Sequence, residues 1–319
     1  MLQSSAGIAV RDPEDSGSAL LRRADVAMYQ AKLSRVGATV YDASRDEFSR
    51  QRLVFVDELR RALADGQLTV WYQPQISAAT QTVTGLEALV RWDHPVDGMR
   101  SPAVFLPTAR RAGLMPALTE EVQRHVVRDA ARWWGAGLRV RVSMNLAPPE
   151  LLSSSVVAAL LRRVDAIGLP AGALGLEVTE DSFLADPERA RAVLAELARH
   201  GLEVSVDDYG TGFSSLSYLR DLHAQELKID RSFIATLIAD ERSRLIVRST
   251  TQMAHALGMR VVAEGVEDAA TSAEVVAMGV DAIQGYHVAP PMPAGVVEAW
   301  LRDWSASSAT ASLSSDEQD

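Results

Sequence analysis

Carboxylates and amides recur at one kind of place in this chain, the C-terminal end of a strand-like run. Glu87 lies late in the run Val83–Trp92. Asn145 closes Val140–Asn145. Glu177 lies near the end of Leu174–Thr179, and Glu180 follows it. Asp207 and Asp208 end the run that starts at Glu203. Lys228 and Asp230 end the run that starts at Glu226. Glu264 follows Arg260–Ala263, and Gln284 closes Asp281–Gln284. If these ends share one face of a fold, hard oxygen donors far apart in sequence meet in one cavity.

The chemistry follows from the charges. Several carboxylates in one cavity repel, and they stay ionised together only if cations bind. Oxygen ligands without cysteine select Mg²⁺ or Mn²⁺ over zinc. Two such ions, about 4 Å apart, would clamp both oxygens of an in-line phosphoryl displacement. Lys228 is the ammonium of the set, suited to orienting or deprotonating an attacking water. Each residue also has a plainer reading: a strand-end glutamate as a solvated rim residue or helix cap, Asn145 before Ala-Pro-Pro as a turn cap, Lys228 as an ion-pair partner. Their shared position argues for the site. Asp207-Asp208-Tyr-Gly-Thr-Gly suits a mobile loop carrying a metal ligand, which Glu180 would brace if it does not cap the next helix.

The elements that must position these residues alternate. Strand-like runs also cover Leu68–Gln75, joined to Val83–Trp92 by the polar turn Ser77–Gln81, so these two are expected to pair antiparallel. Helical periodicity marks Glu120–Trp134, Val156–Ile167, Pro187–His200, Arg242–Leu257 and Ala269–Met278. This rhythm predicts an α/β fold, a (β/α)8 TIM-type barrel with an antiparallel strand at its start. A doubly wound open sheet is the alternative. The expected organisation is a partial domain at 1–43, a charged linker helix at 44–65, the barrel at 66–303 and a disordered tail at 304–319. Residues 1–43 read strand, turn, helix, strand, too little for a core of their own.

Composition narrows the function. The chain has 319 residues, 47% of them hydrophobic and 23% charged, which is the globular range. Its net charge of −10 argues against binding double-stranded nucleic acid and against an electrostatic membrane anchor. It has no cysteine, so disulfides and thiolate metal sites are excluded. No apolar run reaches the length of a bilayer span, and the N-terminus has no secretion signal. A cytoplasmic protein without membrane contact is expected. His125, His200 and His255 fall on helices as surface or packing residues, and His94 reads as a loop hydrogen-bonding residue. Trp133-Trp134 reads as core.

The motifs are Glu87-Ala-Leu with Val-Arg-Trp-Asp-His-Pro, Asn145-Leu, Glu177-Val-Thr-Glu180, Asp207-Asp208-Tyr-Gly-Thr-Gly-Phe-Ser-Ser-Leu, Lys228-Ile-Asp230, Ala-Glu264-Gly-Val-Glu267 and Gln284-Gly-Tyr. In this order, over about 66–303, they resemble the EAL-domain family. The resemblance implies a barrel phosphodiesterase that hydrolyses the bacterial messenger cyclic di-GMP to linear pGpG. It implies that Glu87, Asn145, Glu177 and Asp207 hold one metal ion, and that Asp207, Asp208 and Glu264 serve a second. Lys228 would position or activate the water. Gln284 would support the substrate side, and Arg91 and Gln73 would contact substrate phosphate and base. Asp230 would join them on that side. Glu180 would hold the Asp-Asp loop, and a homodimer would form near it.

Two features depart from the family pattern. Arg110 stands where a glutamate is usual, and Val288 and Pro290 replace aromatic and basic residues. Neither removes a metal ligand. They keep open a receptor that binds cyclic di-GMP without cutting it. An enolate-forming metalloenzyme is a more distant alternative. Gly7-Ile-Ala-Val and Leu21-Arg-Arg-Ala-Asp25-Val-Ala-Met-Tyr29-Gln-Ala-Lys32 resemble the C-terminal end of a GGDEF domain. The catalytic signature of that domain is not among these residues, so no cyclase activity is expected.

Overall fold

In the computed structural model, residues 4–11, 16–33, 36–183, 186–211, 219–220 and 222–315 are described. The chain divides into two compact units, Met1–Arg61 and Ala62–Asp319. In the first, β1 (Ala6–Ile8), α1 (Gly17–Leu33) and β2 (Ala38–Val40) form a βαβ turn whose strands pair in parallel. Gly7 is required by packing. A Cβ there would lie 2.0 Å from the Ala24 carbonyl oxygen, so α1 crosses β1 at a distance only glycine permits. Part of the expected turn, at 12–15, lies outside the described residues. The charged helix α2 runs Ala43–Ala64.

The second unit contains the closed barrel. Its elements are β3 (Leu68–Ser77), β4 (Val83–His94), β5 (Gly98–Arg100), α3 (Pro102–Arg111), α4 (Met115–Gly135), β6 (Arg141–Asn145), α5 (Pro148–Leu151), α6 (Ser154–Ile167), β7 (Leu174–Thr179), α7 (Pro187–Arg199), β8 (Glu203–Tyr209), β9 (Glu226–Ile229), α8 (Arg231–Ala235), α9 (Glu241–Ala256), β10 (Arg260–Ala263), α10 (Ala269–Ala277), β11 (Ala282–Gln284), β12 (Met292–Pro293) and α11 (Ala294–Ser315). From β4 through β6 to β11 the barrel neighbours are parallel. β3 closes the ring and runs antiparallel to both β4 and β11. The predicted barrel with an antiparallel first strand is therefore the observed fold, and the open-sheet alternative is excluded. His94, expected in a loop, is instead the buried last residue of β4, where Nδ1 accepts the Asp97 N–H of the following turn at 3.1 Å. Trp133 is core.

α11 continues through the Ser- and Ala-rich stretch to Ser315, past the expected tail boundary at 304. Trp300 and Trp304 stack at 4.8 Å and pack on the core formed by β9, β10 and their helices. Trp304 Nε1 also donates to the Gln81 carbonyl at 2.7 Å. These two aromatic anchors seat α11 as far as Trp304.

The barrel interior carries ions at the strand N-termini. Arg141 opens β6, Glu203 opens β8, Glu226 opens β9 and Arg260 opens β10. Arg141 donates to Glu203 and, at 2.6 Å, to Glu226. Arg260 reaches Glu203 at 2.5 Å. Ser205 Oγ donates to Glu226 at 2.8 Å. Burial would raise the Glu226 carboxyl, but the Arg141 charge and these hydrogen bonds hold it below the usual carboxylate range. Removing Arg141 would strand a buried carboxylate. Arg141→Met is expected to cost about 3–5 kcal/mol, with most of it recovered by adding Glu226→Gln, as read by thermal and urea unfolding. Because folded Glu226 is the stronger acid, its contribution is fully present above the ordinary glutamate value, about 4.3. It is lost as pH falls through the lower folded value. Glu226→Gln should therefore flatten stability against pH in that acid window; an unchanged acid limb counts against it.

Candidate active site

The site grows from one buried ammonium. Lys228, on β9, is fully buried. Its Nζ lies 2.5 Å from Glu264, 2.7 Å from Glu177, 3.2 Å from Asp207 and 3.3 Å from Glu87. Burial works against its charge, but Asp207, Glu177, Glu264 and Glu87 together push its pKa well above the usual lysine value. Lys228 is therefore held as a cation, suited to donating rather than abstracting a proton.

Register brings the other donors together. Glu87 pairs with Gln73 across β3–β4, and Asn145 pairs with Glu177 across β6–β7. Asn145 Nδ2 donates to Glu87 at 3.1 Å and reaches Glu177 at 3.5 Å. Gln284 donates to Glu87 at 2.6 Å and to Gln73 at 3.2 Å. Gln73 in turn donates to the Ala289 carbonyl at 3.1 Å.

Asp207 and Asp208 are consecutive, and consecutive strand residues ordinarily face opposite ways. The β8–β9 register shifts between Val206 and Tyr209, a bulge that re-aims this segment. Asp208 takes the left-handed conformation, φ 53°, which an aspartate tolerates better than most residues. As a result Asp207, Asp208 and Glu264 each offer an oxygen within 4.8 Å of the others. Glu180 Oε1 accepts the Gly210 N–H at 3.0 Å, so it does grip the segment after the two aspartates. The rest of that motif, 212–216, lies outside the described residues, as does any dimer surface it forms.

The remaining expected residues occupy the rim. Asp230 caps α8 by accepting the Ser232 N–H at 3.0 Å and sits against Asp208. The Arg91 guanidinium lies 5.8 Å from the centre of the Trp71 ring and donates to the Val90 carbonyl at 2.9 Å. Arg110 borders two adjoining cavities, of 390 and 530 Å³, shared with Thr179 and Asp208. The first has an apolar wall including Leu89, Val90, Leu106 and Leu118. Gln75, which motif reasoning passes over, donates to Gln284 Oε1 at 2.8 Å. Its signal in sequence is the period of two: it follows Gln73 on the same inward face of β3.

One ammonium does not neutralise four carboxylates. Burial raises Glu177 well above the usual range, and the Glu87 charge adds to this against Lys228. Glu264 is pushed up to about 8, chiefly by burial, with Asp207 and Glu87 adding and Lys228 opposing. Burial and then Asp207 raise Asp208 to about 6. Glu87 stays below the usual range: burial raises it, but Lys228 and hydrogen bonds from Gln284 and Asn145 prevail. Buried Glu177 Oε1 and Asp207 Oδ1 receive no hydrogen bond from any described residue, although the latter lies 3.2 Å from Lys228 Nζ. Bare carboxylate oxygens in a crowded, proton-retaining ring fit a divalent cation of the Mg²⁺ or Mn²⁺ type.

An acid-lined mouth on the C-terminal face of a (β/α)8 barrel defines a class of oxygen-ligand barrel proteins. The family model for the EAL domain matches residues 56–291, and the chain belongs to that family. The bifunctional diguanylate cyclase/cyclic di-GMP phosphodiesterase MucR of Pseudomonas aeruginosa is 35% identical over 297 residues, 92% of this chain and 43% of MucR. The cyclic di-GMP phosphodiesterase PdeR of Escherichia coli K12 is 34% identical over 300 residues, 93% of this chain and 45% of PdeR. Among solved structures, the PaMucR phosphodiesterase in complex with c-di-GMP superposes with a TM-score of 0.74 at 35% identity, covering 76% of this chain and 99% of that one. The chain spans between 36% and 50% of the length of such curated relatives.

A divalent cation bound there would compete with protons for Glu264 below about pH 8 and for Asp208 below about pH 6. Mn²⁺ affinity is therefore expected to weaken as pH falls from about 8 to about 6, with proton release on binding. Calorimetry in two buffers of different ionisation enthalpy reads this directly. Equal apparent heats in both buffers would contradict it.

Proposed function

We propose that this chain is a metal-dependent phosphodiesterase that hydrolyses cyclic di-GMP to linear pGpG. The observation that carries the reading is the intact carboxylate ring around Lys228, with Asn145 and the Asp207–Asp208 bulge in place. Glu87, Asn145, Glu177 and Asp207 would hold one ion, and Asp207, Asp208 and Glu264 a second, as Mg²⁺ or Mn²⁺. Bound there, such ions polarise a phosphodiester and make water a competent nucleophile near neutral pH. Lys228, kept charged by its neighbours, orients the attacking water through an N–H donor. Glu87 and Glu264 are the carboxylates that act at the reacting centre. Gln73, Arg91, Asp230 and Gln284 surround the substrate side, and Glu180 steadies the aspartate segment.

The similarity to cyclic di-GMP phosphodiesterases supports the substrate, and the PaMucR complex with c-di-GMP supports the binding face. The parallel βαβ unit of residues 6–40 supports reading 1–43 as the end of a GGDEF-like domain, with α2 as linker. A homodimer and a cytoplasmic setting follow from the family and its substrate. Among the described residues, no helix is long and apolar enough to cross a membrane. Arg110, which borders the cavities in place of the usual glutamate, is the observation that favours a receptor instead.

The deciding experiment incubates the purified chain with cyclic di-GMP and Mg²⁺ or Mn²⁺ and separates the products by chromatography. Wild type is expected to yield pGpG, and Glu87→Ala to lose at least about a hundredfold in rate, the scale of losing a group at the reacting centre. An unimpaired Glu87→Ala would sink the assignment. Tight binding with no product over hours would point to the receptor.

A further inference from the structure

A second amide stands behind Gln284. Gln75 is fully buried and directly opposite Gln284 in the β3–β11 pair. Its Nε2 donates to Gln284 Oε1 at 2.8 Å. Gln284 Nε2 then donates to Glu87 Oε2 at 2.6 Å and to Gln73 Oε1 at 3.2 Å. A primary amide has one accepting end and one donating end. With its oxygen taken by Gln75, Gln284 turns its donating end to the carboxylate.

The accepting end of the Gln75 amide faces Gly85. Its Oε1 is buried, and so is Arg141 Nε; neither has a hydrogen-bond partner among the described residues. Both border the space over Gly85. A Cβ at Gly85 would lie 3.0 Å from Gln75 Oε1 and 3.5 Å from Arg141 Nε and Nη2. Gln75 Oε1 lies on the Gly85 side of the amide, and its NH₂ is turned to Gln284. The order amide, amide, carboxylate therefore has one polarity, each amide donating toward the site.

We propose that Gln75 is a positioning residue: it fixes the polarity of the Gln284 amide, so that Gln284 presents N–H rather than oxygen to Glu87. Its effect on turnover rests on the phosphodiesterase reading; the geometry does not. With the relay reversed, an amide oxygen would face the Glu87 carboxylate in a buried place, where two acceptors repel strongly.

Two nearly isosteric variants separate polarity from packing. Gln75→Met removes the donor, and Gln75→Glu replaces it with an acceptor. The expected losses in kcat are about tenfold and about a hundredfold, with KM changed by less than about twofold. Gln284→Met, alone and combined with Gln75→Met, completes a double-mutant cycle. If Gln75 acts through Gln284, the double variant has the kcat of Gln284→Met alone; losses that multiply overturn the proposal. Gly85→Ala is a second route, because its methyl presses on Gln75 Oε1 without altering Gln75, and its loss should also vanish in the Gln284→Met background.

A readout without turnover accompanies these. The Gln284 side-chain amide, assigned in ¹H–¹⁵N spectra by its disappearance in Gln284→Met, should exchange with solvent about tenfold faster in Gln75→Met. Unchanged exchange overturns the relay whatever the activity. Faster exchange in a chain that makes no linear product would uphold the relay and reject the phosphodiesterase reading.

Discussion

Everything at the C-terminal mouth of this barrel depends on the imbalance between one buried ammonium and four carboxylates. Lys228 has no exposure, and Glu87, Glu177, Asp207 and Glu264 all reach it. Removing such charges from water costs several kcal/mol each, and one cation does not offset four anions. The ring must hold protons or attract further positive charge. Asn145 and Gln284 reduce the strain by donating to Glu87, whose carboxyl is held below the usual range. The rest of the barrel can be read as the means of holding these groups against their mutual repulsion.

That view explains why the far end of the barrel is also ionic. Arg141, Glu203, Glu226 and Arg260 form an alternating cluster in which acids and bases nearly balance. It is a structural counterpart of the site: the same residue types at the opposite strand ends, but arranged to satisfy one another. A balanced cluster stabilises, whereas an unbalanced one retains the capacity to bind. Position on the strand alone does not distinguish the two; charge count does.

Much of this was legible in sequence. The strand-end positions of Glu87, Asn145, Glu177, Asp207, Lys228, Glu264 and Gln284 follow from periodicity and from the rule that barrel strands end on one face. Those residues do converge. The less legible features depend on register between distant strands. That Asp207 and Asp208 share a face requires the β8 bulge and a left-handed backbone at Asp208. Gln75 matters because β3 pairs with β11 more than two hundred residues later, as its hydrogen bond to Gln284 reflects. The seating of α11 depends on Trp300 and Trp304 meeting a core that local composition does not report.

The reversed direction of β3 has a mechanical consequence. In an all-parallel barrel the first strand begins at the end remote from the site, so the preceding chain attaches on the far side. Here β3 starts beside the C-terminal end of β4, with Leu68 opposite Trp92 and the Asp93 N–H bound to the Gln67 carbonyl. A pull on Leu68 is thus delivered at the acid-lined mouth. It reaches Gln73, and through Gln284 the Glu87 carboxylate, along a single strand and without crossing the barrel.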